Sequence, residues 1–508
     1  MTLVSLDKLA GAVPVSSRQE PSPRLRRLVY IETMGCQMNV YDSERMAEAL
    51  ARHDYAPTDD VERADLILLN TCSIRDKVEH KVSSALGTWR KLKAFNPDLV
   101  LAVAGCVAQQ EGERLLQKIP HLDLVLGPDQ IAALPELVQG VRERQQRASA
   151  TEFVHRKRYV FPEPSAPEDG RVTAPVTVMK GCNKICSFCI VPFTRGREVS
   201  KPAAQVVAEV RMLVAHGVRE VMLLGQNVNS YGKDIIGQGI GKGADGKDGI
   251  APSGVAHPEQ VDFAGLLAQL DAIDGLQRIR FMTSHPMDCT DRLIEAYATL
   301  PKLMPFFHLP IQSGSEKVLR DMRRHHGVED YVARLQRLRA LVPGIGLSTD
   351  IIVGFPGETE AEFDETLQLL ARVRYDSIYA FLYSARPGTR AADLADDVPL
   401  AAKKQRLARV LALQDQISRA SMAAHLGREV EVLFEGPSRL QAVGPNARLA
   451  AERQFGPPQV TGRTPESVKV NVSVTDARAL AEWKGRLARV RVTEVKPHSL
   501  QGELLGFV

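Results

Sequence analysis

The sequence predicts an α/β protein of three units. These are an N-terminal open parallel sheet, a central partial (βα)6 barrel and a small C-terminal antiparallel β-barrel. Three observations predict it. Short apolar runs alternate with helical stretches over residues 28–140. The alternation returns from Val176 to about Ala385. Beyond Ala424 the apolar period changes from about 3.6 to two.

Residues 1–27 mix Pro, Ser and Arg without a long apolar stretch, so they read as a disordered tail and not a secretory signal. The first unit takes 28–142. Leu28–Thr33 is its first strand, and Ser43–His53 a helix with Asp42 or Ser43 as N-cap. Ala64–Asn70, Asp98–Ala104 and Asp123–Leu126 follow as strands. Strands this apolar, separated by helices, argue for a parallel sheet covered on both faces. Residues 143–167 form a basic, proline-rich linker, continuing the basic run that starts at Arg142.

The central unit spans 168–420, with six strands beginning near Val176, Glu220, Arg278, Phe306, Gly346 and Ser377. Between them Val206–His216, Phe263–Ile273, Asp291–Leu300, Tyr331–Leu341 and Glu360–Val373 carry helical spacing. Right-handed strand–helix units of this kind close into a full or partial barrel. Gly232–Pro258 interrupts them as a Gly- and Asp-rich surface loop. Lys403–Ala424 is a connecting helix, and 422–504 the last unit. There Val430, Val432 and Phe434, then Val468, Val470 and Val472, then Val490 and Val492 alternate, with a turn at Glu435-Gly436-Pro437.

Composition sets limits on function. The 508 residues are 44% hydrophobic and 25% charged, as in ordinary globular proteins. No run of 18 apolar residues exists, so no membrane-spanning helix is expected. A net charge of +4 does not by itself indicate nucleic acid; local basic patches matter more. With no export signal the reducing cytoplasm is the expected compartment, where seven cysteines favour metal ligation or catalysis over disulfides.

Cys182, Cys186 and Cys189 follow the first barrel strand as C-x-x-x-C-x-x-C. Three thiolates on one tight loop can ligate three irons of a [4Fe–4S] cube and leave the fourth open to a substrate. A four-cysteine electron-transfer site would leave no opening, and a structural zinc site also wants four ligands. Cys36, Cys72 and Cys106 each follow a strand of the first sheet. Loops after parallel strands meet at one sheet edge, where ligands bind. Gly35 and Gly105 just before two of them permit close backbone approach. A second cluster with one open iron is expected there. Cys289 stands alone as a free thiol.

These residues carry a resemblance. GCNKICSFCIVPFTRGRE (181–198) resembles the S-adenosylmethionine radical motif. With it, GCQMNVYDSE (35–44), NTCSIRDKVEHK (70–81), GCVAQQ (105–110), LLGQNVNSY (223–231), TSHP (283–286), FHLPIQSGS (307–315), STDIIVGFPGET (348–359) and YSARPGT (383–389) resemble the methylthiotransferase family, and within it the tRNA 2-methylthioadenosine synthases. EGPS (435–438) and TGRT (461–464) resemble the TRAM domain, a small RNA-binding barrel, with Arg439, Arg463 and Lys469 as candidate phosphate contacts. Two departures stand out: Arg323-Arg324-His325-His326-Gly327 where the family has a Tyr-Thr pair, and the insert at 232–258.

The resemblance implies a radical S-adenosylmethionine transferase with two [4Fe–4S] clusters that consumes two S-adenosylmethionine molecules. The cluster on Cys182, Cys186 and Cys189 would bind S-adenosylmethionine through its open iron and give a 5′-deoxyadenosyl radical. The cluster on Cys36, Cys72 and Cys106 would hold and deliver sulfur or a methylthio group. Gln226, Asn227, Gln312, Ser313 and Asp350, inside the matching stretches, are the implied cofactor-binding residues. The implied target is the isopentenyl-bearing adenosine on the 3′ side of the anticodon, so tRNA, through its anticodon stem-loop, is the expected partner. An electron donor such as a flavodoxin or ferredoxin and a sulfur source complete the set, with no membrane. Gln37-Met38-Asn39 favours this branch over the one acting on a ribosomal-protein aspartate, which shows proline and lysine there. A third branch acts on threonylcarbamoyl-adenosine. A reading of another class is a non-enzymatic iron–sulfur module for electron transfer or cluster delivery. The open-iron spacing and the complete six-strand barrel argue against it.

Overall fold

A computed structural model describes residues 26–73, 78–144, 146–155, 158–167, 169–236, 261–438, 457–476 and 478–508. The first unit is a six-stranded parallel sheet: β1 (Arg27–Met34), β2 (Tyr55–Pro57), β3 (Leu66–Thr71), β4 (Val100–Gly105), β5 (Leu124–Leu126) and β6 (Ala148–Ala150), in the order β2-β1-β3-β4-β5-β6. Its central strands β3 and β4 are buried throughout because both faces are covered. Leu66 and Leu68 pack into one layer with Met46 and Leu134, while Ile67 and Leu69 face Leu86 and Trp89. Two edge strands were not expected. The three residues of β2 and of β6 are too few to show a period, and β6 falls within the segment read as a linker.

Two boundaries differ from expectation. Arg27, assigned to the tail, opens β1 opposite Tyr55. The first helix runs Gln37–Ala51 and is capped by Cys36, not by Asp42 or Ser43. Those two polar residues are buried on the helix face. Asp42 pairs with Arg195 at 2.7 Å and Ser43 accepts from Asn70 at 2.9 Å, so their polarity serves packing contacts and not a cap.

The central unit supplies six parallel strands: β7 (Thr173–Thr177), β10 (Glu220–Leu224), β11 (Arg278–Phe281), β12 (Phe306–His308), β13 (Gly346–Val353) and β14 (Ser377–Leu382). They form two three-stranded sheets, β11-β10-β7 and β12-β13-β14, joined by one bridge between Ile279 and Leu303. This is the partial barrel predicted. Its core runs from Val176 and Leu223 through Phe281 and Phe307 to Ile351 and Phe363. A short antiparallel pair, β8 (Met179–Lys180) and β9 (Val199–Ser200), lies between β7 and β10.

The insert lies mostly outside the described residues, which resume at Val261. Its first residues are fixed and not a free loop. Gly232 is buried at φ +84° and donates to Ser200 Oγ at 3.0 Å, and Lys233–Ile236 is one helical turn.

The connecting helix runs Leu400–Ala423 and leads into a closed barrel of β15 (Glu429–Pro437), β16 (Gln459–Arg463), β17 (Lys469–Ser473), β18 (Leu487–Lys496) and β19 (Ser499–Phe507). Glu435-Gly436-Pro437 is not a turn. It completes β15 across a bulge at Phe434/Gly436, and Gly436 takes φ +137° there. The barrel is riveted to the central unit by two buried arginines of β11. Arg278 donates to the Arg463 carbonyl at 2.7 Å and pairs with Glu431 at 2.9 Å. Arg280 donates to the Thr464 and Pro465 carbonyls at 2.8 and 2.7 Å while pairing with Glu220 at 2.9 Å. Among the described residues no helix is long and apolar enough to cross a membrane.

Candidate functional site

Lys180 of β8 pairs with Val199 of β9, so residues 181–198 form a loop closed at its base. Only glycine can open it. Gly181 has φ +76°, and a Cβ there would stand 2.1 Å from the Arg197 carbonyl oxygen. Its N–H donates to Gln226 Oε1 at 2.5 Å, and the Cys182 N–H donates to the Gly196 carbonyl at 3.1 Å. Glu198 braces the loop from inside, accepting from the Asn183 N–H at 3.1 Å and from Asn227 Nδ2 at 3.3 Å. Asp288, buried, binds Lys184 at 2.9 Å, Asn227 Nδ2 at 2.8 Å and Lys233. Burial opposes its charge, but hydrogen bonds from Lys233, Asn227 and Lys184 hold its carboxyl below the usual range.

The loop's other arm leans on the second half-barrel. Ser187 donates to the Met322 and Asp321 carbonyls at 2.9 and 2.8 Å. Arg324 donates to Cys186 Sγ at 3.5 Å and to the Pro310 carbonyl at 2.5 Å. His285 Nε2 stands 3.9 Å from Cys186 Sγ. Burial first, and the Arg324 charge second, hold His285 neutral and lower His326 to about 4. Burial pushes the Cys182 and Cys189 thiols up to about 12. Thiols so placed ionise only against a strong positive charge such as iron supplies.

The second cysteine set sits on the first sheet. Cys36, Cys72 and Cys106 follow β1, β3 and β4, three neighbouring strands, so all three stand at one sheet edge. A buried polar network ties the three loops together. Asn39 Nδ2 donates to Asn70 Oδ1 and to the Thr71 carbonyl, both at 3.0 Å. Asn70 Nδ2 returns a bond to the Asn39 carbonyl at 2.8 Å, and Thr71 Oγ1 donates to the Ala104 carbonyl at 2.7 Å. The loops touch so closely that a Cβ on Gly35 would lie 2.7 Å from Cys72 Cβ. A hydrogen bond from Cys72, opposed by burial and helped by the Arg195 charge, brings the Cys36 thiol down to about 6.

Each set brings three cysteines onto one loop or one sheet edge, the donor chemistry that suits a [4Fe–4S] cube. Among the described residues no three Cys, His, Asp or Glu side chains gather on one point as ligands of a single ion would. Ligands of a [4Fe–4S] cube each take a different iron and stand further apart. Beside the central loop Arg324 Nε, both ring nitrogens of His326 and Asn227 Oδ1 are buried without a hydrogen-bond partner, which leaves polar capacity for a bound group.

The remaining predicted residues divide. Gln226 and Asn227 abut the Cys182 loop. Gln312, at φ +83°, bonds the Asp350 carbonyl through its N–H at 2.9 Å, and the Asp350 carboxylate is 3.6 Å from His308 Nε2. Ser313 is fully buried, its hydroxyl 3.3 Å from Thr366 Oγ1 and accepting from the Ser315 N–H at 3.2 Å, so it is engaged by the protein itself. Cys289 lies in the central core, its thiol raised to about 11 by burial. In the C-terminal barrel, Arg463 stands opposite Lys469 on the neighbouring strand and pairs with Glu435 at 3.1 Å; Arg439 lies outside the described residues.

Sequence reasoning missed Arg195, Glu198, Asp288 and Arg324. The first two sit inside the Cys182 stretch, where charged residues next to a cluster motif were the available signal.

Comparison with known proteins gives two family matches. The family described as Uncharacterized protein family UPF0004 matches residues 28–127, and the Radical SAM superfamily matches residues 176–370. A tRNA-2-methylthio-N(6)-dimethylallyladenosine synthase of Anaeromyxobacter dehalogenans is 46% identical over 97% of both chains. The same-named proteins of Myxococcus xanthus and Pseudomonas aeruginosa are 47% and 43% identical, covering 94% and 95% of this chain and 94% and 99% of theirs. Among solved structures, the radical S-adenosylmethionine methyltransferase TsrM from Kitasatospora setae superposes with a TM-score of 0.53. It is 13% identical and covers 72% of this chain and 77% of its own, a likeness of fold alone.

Proposed function

Because this chain belongs to the family of tRNA-2-methylthio-N(6)-dimethylallyladenosine synthases, within the radical S-adenosylmethionine superfamily, we propose that it converts the isopentenyladenosine on the 3′ side of a tRNA anticodon to its 2-methylthio derivative. The observation that carries this reading is the likeness of 43–47% to relatives so named, over almost the whole chain. The two convergent three-cysteine sets support it.

Cys182, Cys186 and Cys189 would hold one [4Fe–4S] cluster and Cys36, Cys72 and Cys106 a second; when bound with S-adenosylmethionine, the first supplies one-electron chemistry and the second supplies sulfur. The chain's own residues do the rest. Gly181, Glu198 and Asp288 fix the loop's shape, so the three thiols are presented on a rigid frame. Neutral His285 approaches Cys186 without adding a second positive charge beside Arg324. Gln226, Asn227, Gln312 and Asp350 are the polar contacts for S-adenosylmethionine, and Ser313 shapes the turn that carries Gln312. Met38, Tyr41, Tyr159 and Phe161 line the seam between the two units.

The C-terminal barrel takes the tRNA backbone, with Lys469 and Arg463 on adjacent strands among its basic groups. An electron donor such as a flavodoxin or ferredoxin and a sulfur source act with the enzyme in the cytoplasm. The test is mass spectrometry of tRNA nucleosides from cells lacking the gene. The expected result is loss of 2-methylthio-isopentenyladenosine with accumulation of isopentenyladenosine, restored by the wild-type gene. Loss of a threonylcarbamoyl derivative instead would move the chain to the sister branch. Unchanged nucleosides would leave an electron-transfer or cluster-delivery module.

A further inference from the structure

Arg195 belongs to the central unit, six residues beyond Cys189, yet its side chain ends in the first unit's cysteine site. It is buried, with 6% of the side chain exposed. Its three nitrogens are used unequally. Nη1 pairs with Asp42 Oδ2 at 2.7 Å, Nε donates to Cys106 Sγ at 3.3 Å, and Nη2 is buried with no partner.

A guanidinium placed only to fasten two units would turn its fork onto the carboxylate, as arginine–carboxylate pairs do. Here the guanidinium is split between carboxylate and sulfur, and one of its nitrogens, Nη2, is left unmet inside the protein. A buried donor left unmet is destabilising. The site therefore provides a donor for something other than protein, beside a sulfur that the reading above makes a cluster ligand. Asp42 balances the guanidinium charge through the ion pair at Nη1.

We propose that Arg195 is a positioning residue of the N-terminal cluster, donating N–H to the Cys106 sulfur and offering Nη2 to the cluster, and that it raises that cluster's reduction potential. The inference rests on the two-cluster reading. Reduction adds negative charge to the cluster. A hydrogen bond to a ligand sulfur and a fixed cation in a dry site both favour the more negative form, and these are the features that set such potentials. Arg195 also lies on the loop that carries the central cysteines, so the shape of one site bears on the potential of the other.

The experiment uses the full chain with Cys182, Cys186 and Cys189 changed to Ala, which leaves the N-terminal set alone. Removing Arg195 by itself would strand the Asp42 carboxylate, so the comparison is made between Asp42→Asn and Asp42→Asn with Arg195→Gln. Each is loaded with iron and sulfide, its iron counted, and its reduction followed by electron paramagnetic resonance against applied potential. Loss of Arg195 should lower the reduction equilibrium constant about tenfold or more, or about 59 mV for a one-electron couple, with iron per chain unchanged. Arg195→Lys, which keeps the charge and loses the fork, should shift it less. Equal potentials at equal iron content overturn the proposal. So does loss of iron from the Arg195→Gln variant when Arg195→Lys keeps the parent's potential or also loses its iron, since Arg195 is then only a scaffold. No iron in the triple-alanine parent itself means that the two-cluster reading has failed, and the proposal goes with it.

Discussion

Gly105 lies so close to the turn after β3 that a Cβ on it would stand 2.3 Å from the Thr71 carbonyl oxygen and 2.4 Å from Asn70 Oδ1. Its φ of +89° adds a backbone reason for glycine. Gly105→Ala therefore has to part the loops that bring Cys72 and Cys106 together, with strain of about 1–3 kcal/mol. Iron should fall from about eight to about four per chain, while cleavage of S-adenosylmethionine continues. Iron analysis with a cleavage assay decides it, and full iron content would mean the loops tolerate separation.

Cys72 is 1% exposed and bonded through its N–H to the Met34 carbonyl at 3.0 Å. Cys72→Ala keeps the backbone bond and removes only the sulfur. Reductive cleavage of S-adenosylmethionine should survive and tRNA methylthiolation should stop. Product from the variant, measured on isopentenyladenosine-containing tRNA, would take the sulfur-supplying role away from this set.

Cys289 tests the opposite expectation. It is buried in the central core. Cys289→Ser buries a hydroxyl in place of a thiol, which should cost about 1–3 kcal/mol of stability. Iron content and turnover should stay near wild type. A missing cluster would show that the seventh cysteine had been misassigned.

The outline of the fold could be read from the chain because apolar period is a strong signal in long elements. All six strands of the central half-barrel were placed from that period, five of them at their first residue, as Glu220, Arg278 and Gly346 show. The gathering of Cys36, Cys72 and Cys106 at one sheet edge was legible too, since position just after a parallel strand fixes which edge a residue reaches. What stayed hidden has a common physical character. β8 and β9 are two residues each, and no period exists at that length. The cap at Cys36 was missed because Asp42 and Ser43 have the chemistry of caps but spend it on Arg195 and Asn70, partners distant in sequence. Arg195, Glu198 and Asp288 carry no periodic signal; only tertiary pairing makes them interior.

Arg280 holds both a carboxylate of its own unit and two carbonyls of the C-terminal barrel. Arg280→Met leaves Glu220 buried and unpaired, which should destabilise the fold by about 3–5 kcal/mol. Adding Glu220→Gln should recover part of that loss without restoring the contact with the barrel. Urea unfolding of both variants, with protease sensitivity near residues 424–428, separates the two effects. Equal stability of the single and double variants would mean that Glu220 is not the stranded charge.

His326 gives a pH dependence of defined sign. Burial, then the Arg324 charge, lowers its folded value to about 4 from the ordinary 6.5. The unfolded chain thus binds a proton near pH 6.5 that the folded chain refuses until about pH 4. Its contribution is fully present above about pH 6.5 and is lost as pH falls from there toward about 4. In iron-free protein, the fall of Tm between pH 7 and 4.5 should be smaller in His326→Gln. Parallel curves would remove His326 from the acid response.

Asp42 faces Arg195 and Asp129 faces Lys180, each pair with its acid in the first unit and its base in the central one. All four side chains are buried. Were either unit to melt alone, both ion pairs would be broken and the survivor's seam, with two charges and the apolar surface around them, would open to water. The two units are thereby coupled, and any fragment cut between them is born with its counter-ions missing.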